Sequence, residues 1–389
     1  MTELLTELKG GIASFTLMGN AVVKENALQG IQQKEGKTWR HVDSSFGVNT
    51  GEGNTIYARI WGGYKTDNPI LKRWDNENNL IDVKWENRLA EGVIESIRPS
   101  ELFRAGFEKD EDGRLITKEF ISEIDFEEYL REHLADGMAV RVRGDVEYNE
   151  YKDEIYRRYN IKSVYLAEPY KNKEGETVTP EPMAQVRQTY ILDEDALDKK
   201  WQKDLQEEGR TTLSLFVPQY LSQRKVGDKY LPFKKTIPMH QGVVVKMKDM
   251  ADEKELKVKK TIMEKFFKVK RDTVREIVLI NNINEGYEEA TGVEINDELQ
   301  ELIDLGIMTE EDIKNQVTIR GNKVSEIVFA QPAVLRNRDT GDVALQMTDE
   351  KYSTEALIVP FIDGEDDFEE DSVEEGTAIS DDEFASLFG

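Results

Sequence analysis

The stretch Asn54-Thr-Ile-Tyr-Ala-Arg-Ile-Trp61 alternates in a way that separates two kinds of side chain. Read as a strand, it turns Ile56, Ala58 and Ile60 to one face and Tyr57, Arg59 and Trp61 to the other. Flat rings interleaved with cations suit an unpaired nucleic-acid strand: each base stacks for about 1–3 kcal/mol, and the cations track the phosphates. Trp39, Arg40 and Phe46 on the preceding strand-like stretch extend the set, as do Tyr64 and Lys65 in what reads as the following loop. A second concentration comes later. Arg141 and Arg143 alternate with Val140 and Val142, and Tyr148, Tyr151, Tyr156 and Tyr159 then mingle with Lys152, Arg157 and Arg158. An aromatic stripe is more often core than ligand site, and for each of these Tyr the two readings are near even. Tyr57 and Trp61 are favoured for binding, because Ile56, Ala58 and Ile60 already account for the core face.

Other chemistries find little support. The chain has no Cys and three His, so thiolate sites, Cys nucleophiles and a His-built zinc site have no material. Gly30 to Thr38 imitates a phosphate loop with one residue too many, and strand-like Trp39 to Val42 follows where a helix should begin. The segment Glu108–Glu119 fits a calcium-loop template at Gly113 and Glu119, but it starts on Glu108 where a shorter Asp normally reaches the ion. A hairpin turning at Asp112-Gly113 is the better reading. The carboxylates show no paired spacing beyond chance. No catalytic residue, cofactor or metal is expected, and the chain reads as a non-enzyme.

The 389 residues carry a net charge of −26. Twelve of those negative charges lie in Asp363–Gly389, which has no Lys or Arg, leaving −14 for residues 1–362. Such a segment has too little apolar content to repay the entropy of folding and predicts a disordered tail. Phe384, Leu387 and Phe388 at its tip, just after Asp381, Asp382 and Glu383, suit capture by a partner with a basic-rimmed apolar pocket. An acidic body argues against nucleic acid unless cations are gathered locally. Besides the residues above, Lys254 to Arg271 holds eight basic residues against Glu255 and Glu264. A solvated helix face is the plainer reading of that run, a DNA-facing arm the other. No stretch of 18 apolar residues spans a membrane, and the N-terminus lacks a secretory pattern, so a cytoplasmic protein is expected.

The fold expected is mostly β with short helices. Ser14–Val23 and 54–61 read as strands, Phe126–Leu134 as a helix ended by Gly137, and 140–144 with 161–166 as two more strands. Strand-like pieces recur at 212–221, 237–247 and 268–280, with helical spacing at 298–303 and 310–315. Val317-Thr-Ile-Arg-Gly321 echoes Val140-Arg-Val-Arg-Gly144, and Val324 to Pro332 echoes Ile161 to Pro169, including the Ala-x-Pro ending. This order predicts a duplication. The boundaries read as 1–169 for a first domain, 170–210 for a linker with a helical stretch, 211–362 for a second domain and 363–389 for the tail.

Strands, a helix and two closing strands is the order of the oligonucleotide-binding barrel, the OB-fold. Residues 14–169, with Gly137-x-x-Val-x-Val-Arg-Gly144 ahead of a Tyr-rich hairpin and Ile161-x-x-Val164, resemble the single-stranded-DNA-binding proteins of bacteria and phages. The acidic tail with a Phe-containing tip is similar to theirs. The resemblance implies two OB-fold-like barrels in tandem. It also implies sequence-independent binding of single-stranded DNA in replication, recombination or repair, with partner proteins recruited by the tail. An RNA-binding protein on the same fold, or a β-rich assembly protein without nucleic acid, are the competing readings.

Overall fold

Period-two alternation runs through the strands of the first 170 residues, and their buried positions are apolar apart from Ser44, whose hydroxyl donates to Glu127. In the computed structural model, residues 4–360 are described, except 52, 152–153, 172–174, 227–228, 288–299, 301–302, 306–322 and 337–340. The first barrel consists of β1 (Ala13–Val22), β2 (Trp39–Asn49), β3 (Thr55–Lys65), α1 (Glu123–His133), β4 (Ala139–Tyr151) and β5 (Glu154–Leu166). β1 pairs β2, β2 pairs β3, β3 runs parallel to β5, β5 pairs β4 and β4 returns to β1. That closed five-stranded order with a helix before the fourth strand is the OB-fold arrangement. Phe15, Leu17, Ile56, Ala58, Ile60, Val140, Val142, Ile161 and Val164 fill its interior.

The helix α1 starts where Ser122 Oγ accepts a hydrogen bond from the Ile124 amide at 3.0 Å, a capping contact. Ile124, Phe126 and Leu130 turn into the barrel base. Gly144 lies inside β4 rather than at a turn: a Cβ there would stand 1.9 Å from the Asn160 carbonyl oxygen. Only a glycine lets the two strands approach that closely.

The second barrel repeats this order. It comprises β6 (Met183–Leu192), α2 (Trp201–Glu207), β7 (Arg210–Val226), β8 (Lys229–Lys246), α3 (Glu253–Ile262), β9 (Arg275–Tyr287) and β10 (Lys323–Pro332). β8 runs parallel to β10, as β3 does to β5. The chain is thus mostly β, with two OB-fold-like barrels in tandem. The match of Val324–Pro332 to Ile161–Pro169 places both on fifth strands. The counterpart of β4 is different from the one expected: β9 occupies the fourth position, and Val317–Gly321 lies outside the described residues. The helix preceding it is α3, in the basic run, where Asp252 Oδ1 caps the amides of Lys254 and Glu255. The second barrel also begins earlier than residue 211. β6 falls in the polar-looking stretch expected to be linker, because Gln185, Arg187 and Gln188 sit among its core positions Ala184, Val186 and Tyr190.

The two barrels are joined through their first strands. β1 and β6 pair antiparallel, with Ser14 opposite Arg187 and Phe15 opposite Val186. The long insertion between β3 and α1 closes the base of the first barrel. Trp85 stacks on Tyr64 at 4.1 Å, while Arg73 and Arg88 form paired contacts with Glu123 and Asp125 of α1. Within it, 108–119 turns at Asp112-Gly113, with Lys109 and Leu115 bridged antiparallel. The Asp110 carboxylate accepts amides of Asp112 and Arg114, Glu119 pairs with Arg104, and Glu108 reaches Lys118.

Candidate nucleic-acid interface

The outer face of the β2–β3 hairpin carries the rings. Its register sets Trp39 opposite Lys65, His41 opposite Gly63, Asp43 opposite Trp61 and Gly47 opposite Tyr57. Odd-numbered residues of both strands therefore share one surface, and even-numbered ones enter the barrel. Trp39 and Trp61 lie 6.1 Å apart between centroids, and His41 stacks on Trp39 at 6.0 Å with 19° between planes. Tyr57, 49% exposed, sits farther along with Lys24 Nζ 5.5 Å from its ring. The His41 stack adds a ring beyond those expected from the sequence. Its odd number on β2 was the available signal.

Four residues expected to contact nucleic acid are turned inward. Phe46 is fully buried on the inward side of β2, and Tyr64 belongs to β3 and enters the core against Trp85. Tyr148 is 1% exposed; burial pushes its pKa up to about 12, and its hydroxyl donates to Gln188 at the barrel joint. Arg157 is a clamp between barrels. Its Nη2 donates to Glu285 at 2.9 Å and to Ser325 at 2.7 Å, and Nη1 reaches Gln241 at 3.3 Å. Burial pulls its pKa down, but Tyr159 and Glu285 outweigh that and hold it above the ordinary value. In each case a buried position removes the face a base or phosphate would touch.

Arg59 keeps its outward position but is committed. It makes two hydrogen bonds to Asp43, at 2.7 and 2.6 Å, and leans over Trp61 at 5.7 Å. Its role is to brace the ring, with most of its charge answered. Arg158 faces Arg59, Asp43 and Glu147, and its pKa is drawn down by burial first and then by Arg59. Arg40 opens β2 beside Trp39. Arg141 and Arg143 line the outer side of β4, around the barrel from the rings. Desolvation and then the Arg141 charge lower the pKa of Arg143, the mark of two cations held side by side. Arg141 lies 5.7 Å from the Tyr165 ring. Tyr156 is half-buried on β5; Tyr151 ends β4; Lys152 falls outside the described residues, as do Phe384, Leu387 and Phe388.

The structure thus gathers Trp39, Trp61 and Lys65 with His41 at one end of the hairpin's odd-numbered face, and Tyr57 at the other; Arg40, opposite Tyr64, falls on the even-numbered face. Among the described residues, no three His, Asp or Glu converge as a metal site, and no helix is long and apolar enough to cross a membrane.

Residues 117–291 match the family described as YorF, a span running from the approach to α1 through β9. No curated protein matches. Among solved structures, the chain is similar to the wild-type single-stranded DNA binding protein from Thermus aquaticus, at 8% identity over 71% of this chain and 87% of that one, with a TM-score of 0.27. A deletion mutant of that same protein is similar at 10% identity over 72% and 89%, also with a TM-score of 0.27. At that TM-score the likeness carries no argument about this chain.

Proposed function

We infer that the chain binds single-stranded DNA without sequence preference, on the outer face of β2 and β3, as a non-enzymatic protein of replication, recombination or repair. One observation carries this reading: Trp39, His41 and Trp61 form a continuous aromatic surface beside Lys65, on an OB-type barrel whose interior is already filled. Rings on an outward face suit stacking of successive bases, which is indifferent to base identity.

Two tryptophans on that face make the test direct. Poly-dT is expected to quench the fluorescence of Trp39 and Trp61; Trp85 and Trp201 pack against the core, and Trp74, 40% exposed in the insertion, is replaced by Phe for the measurement. Trp61→Ala is expected to weaken dT binding by about 1–3 kcal/mol, roughly 5- to 150-fold, with an unchanged melting temperature. Tyr57→Ala should act in the same direction. Unaltered affinity in both variants would move the site away from this hairpin. An rU oligomer offers the same ring faces, so competition between dT and rU decides between DNA and RNA.

The acidic segment Asp363–Gly389 extends the reading to partners. Removing it deletes twelve negative charges, and dT binding should tighten most at low salt, where charge competition is least screened. Phe384→Ala with Phe388→Ala keeps the charge. That pair should bind dT like the parent yet lose capture of replication or repair proteins. Full capture would reduce the tail to a solubilising role.

A further inference from the structure

The second barrel repeats the fold of the first but not its wall. Ser214, Pro218 and Pro238 lie on the even-numbered face of β7 and β8, which carries no Trp or Tyr between Arg210 and the opposed Pro218 and Pro238. The rings there, Phe216 and His240, meet edge-on at 6.1 Å, and Ser214 Oγ lies 2.9 Å from His240 Nε2. Segments near both termini, 5–9 and 351–356, cover the neighbouring corner. Leu8, Tyr352 and Ala356 bury Ile191 completely and pack against Phe216. Lys9 donates its amide to the Tyr352 hydroxyl, and Leu5 pairs with Lys351 and Ser353 through the backbone.

β7 and β8 also run far past the barrel. Beyond the opposed Pro218 and Pro238, the ladder continues from Gln219↔Ile237 to Val226↔Lys229. That is about 25 Å of two-stranded ribbon at ~3.3 Å per residue. In sequence, residues 219–235 carry five Lys or Arg and one acid, within a chain of net charge −26; Arg224, Lys234 and Lys235 lie on the ribbon's strands. Tyr220 is 53% exposed on it, and Arg224 lies 5.8 Å from the Phe233 ring. Lys234 is exposed at φ +50°, in the irregularity where the pairing register shifts. Lys235 also reaches Glu7 at 3.3 Å. The arm springs from beside the Tyr-rich closing hairpin of the first barrel, where the Tyr148 amide donates to Gln219 Oε1 at 3.1 Å. Two tyrosine-bearing hairpins far apart in sequence thus stand together.

We propose that the arm Gln219–Lys235 is a second contact for single-stranded nucleic acid, and that the second barrel acts through this arm rather than through its wall. This rests on the reading of the first barrel as the stacking site. A ribbon of cations with exposed rings can follow a phosphate backbone and take a base on a Tyr face, while a wall of Pro and Ser beside segments 5–9 and 351–356 cannot. A strand leaving the β2–β3 platform would meet the arm only if it is long enough.

The test compares two dT lengths across a salt series. The short oligomer has about 8 nucleotides, within the roughly 4–16 that one OB barrel covers; the long one has about 40. The arm variant is Arg224→Ala, Lys225→Ala, Lys229→Ala and Lys234→Ala. On the long oligomer its log–log salt slope should fall by about 0.7 for each phosphate that the variant no longer neutralises, and affinity at low salt should drop roughly tenfold. Binding of the short oligomer and its Trp quenching should stay as in the parent. Lys225→Arg, Lys229→Arg and Lys234→Arg together, with Arg224 kept, should retain the parental slope, which separates charge from misfolding. An unchanged slope and affinity of the alanine variant on the long oligomer overturns the proposal, and so does a loss seen only with a duplex probe. Trp61→Ala run in parallel keeps the two readings apart. If it binds as the parent while the arm variant fails, the platform is wrong and the arm stands; the reverse pattern removes the arm alone.

Discussion

Phe46→Ala is expected to destabilise the protein by about 3–5 kcal/mol, the usual cost of truncating a fully buried Phe. The ring is completely buried on β2, among the barrel interior that Ile56, Ala58 and Ile60 also fill. Its removal leaves a cavity under the very hairpin that shows Trp39 and Trp61 on the other side. The variant should melt at lower temperature and lower denaturant. Its folded fraction should still bind dT with parental affinity, because no atom of Phe46 reaches the outer face. A variant as stable as the parent but weakened in binding would mean that the two faces of β2 have been exchanged. The contrast with Trp61→Ala is the useful one, since the same hairpin yields opposite phenotypes from adjacent faces.

Arg157→Ala is expected to cost about 3 kcal/mol, the lower end of the range for breaking a buried pair, because the Glu285 side chain retains 21% exposure. The loss lies at the joint. Without the guanidinium, Glu285 keeps its charge and its hydrogen bond from Ser325, and Gln241 loses a donor from the first barrel. Arg157→Lys should recover only part, because an ammonium cannot serve Glu285, Ser325 and Gln241 with a planar fork. Arg157→Met combined with Glu285→Gln should be milder than Arg157→Ala, since both charges leave together. Denaturant unfolding of the single and double variants measures the coupling. If Arg157→Ala leaves stability untouched and instead lowers the salt slope of dT binding, the residue contacts phosphate and the clamp is incidental.

The acidic balance of the chain acts on both readings. With −14 outside the tail, productive contact with a polyanion depends on local cations rather than on the overall field. Around the rings that supply is modest: Arg59 is answered by Asp43, and Arg158 shares its surroundings with Asp43 and Glu147. The arm is where cations exceed acids most clearly among strands reaching away from a barrel. Binding shared between a ring-rich, charge-poor platform and a charge-rich arm should therefore respond differently to salt along its length.

Period-two alternation made β1, β3, β4 and β5 readable from the residues alone, because a barrel strand must bury every second side chain whatever surrounds it. The same rule placed Tyr57 and Trp61 outward, and the Ser122-led helix was legible from its apolar spacing. Alternation fixes which residues share a face; which face is inward must be inferred from chemistry, and chemistry is ambiguous for aromatics. Phe46 and Tyr148 looked like binding residues because rings serve a core and a base equally well. Arg157 looked like a phosphate contact because its acid, Glu285, lies 128 residues away in the chain. The start of the second barrel was obscured for a related reason: the polar residues of β6 are used at a joint between barrels, and a joint leaves no period in the sequence. Only the tertiary structure set the basic arm beside the Tyr-rich hairpin and folded Leu8, Tyr352 and Ala356 over Ile191. Such juxtapositions are made by strands pairing across the whole chain, and local sequence carries no record of them.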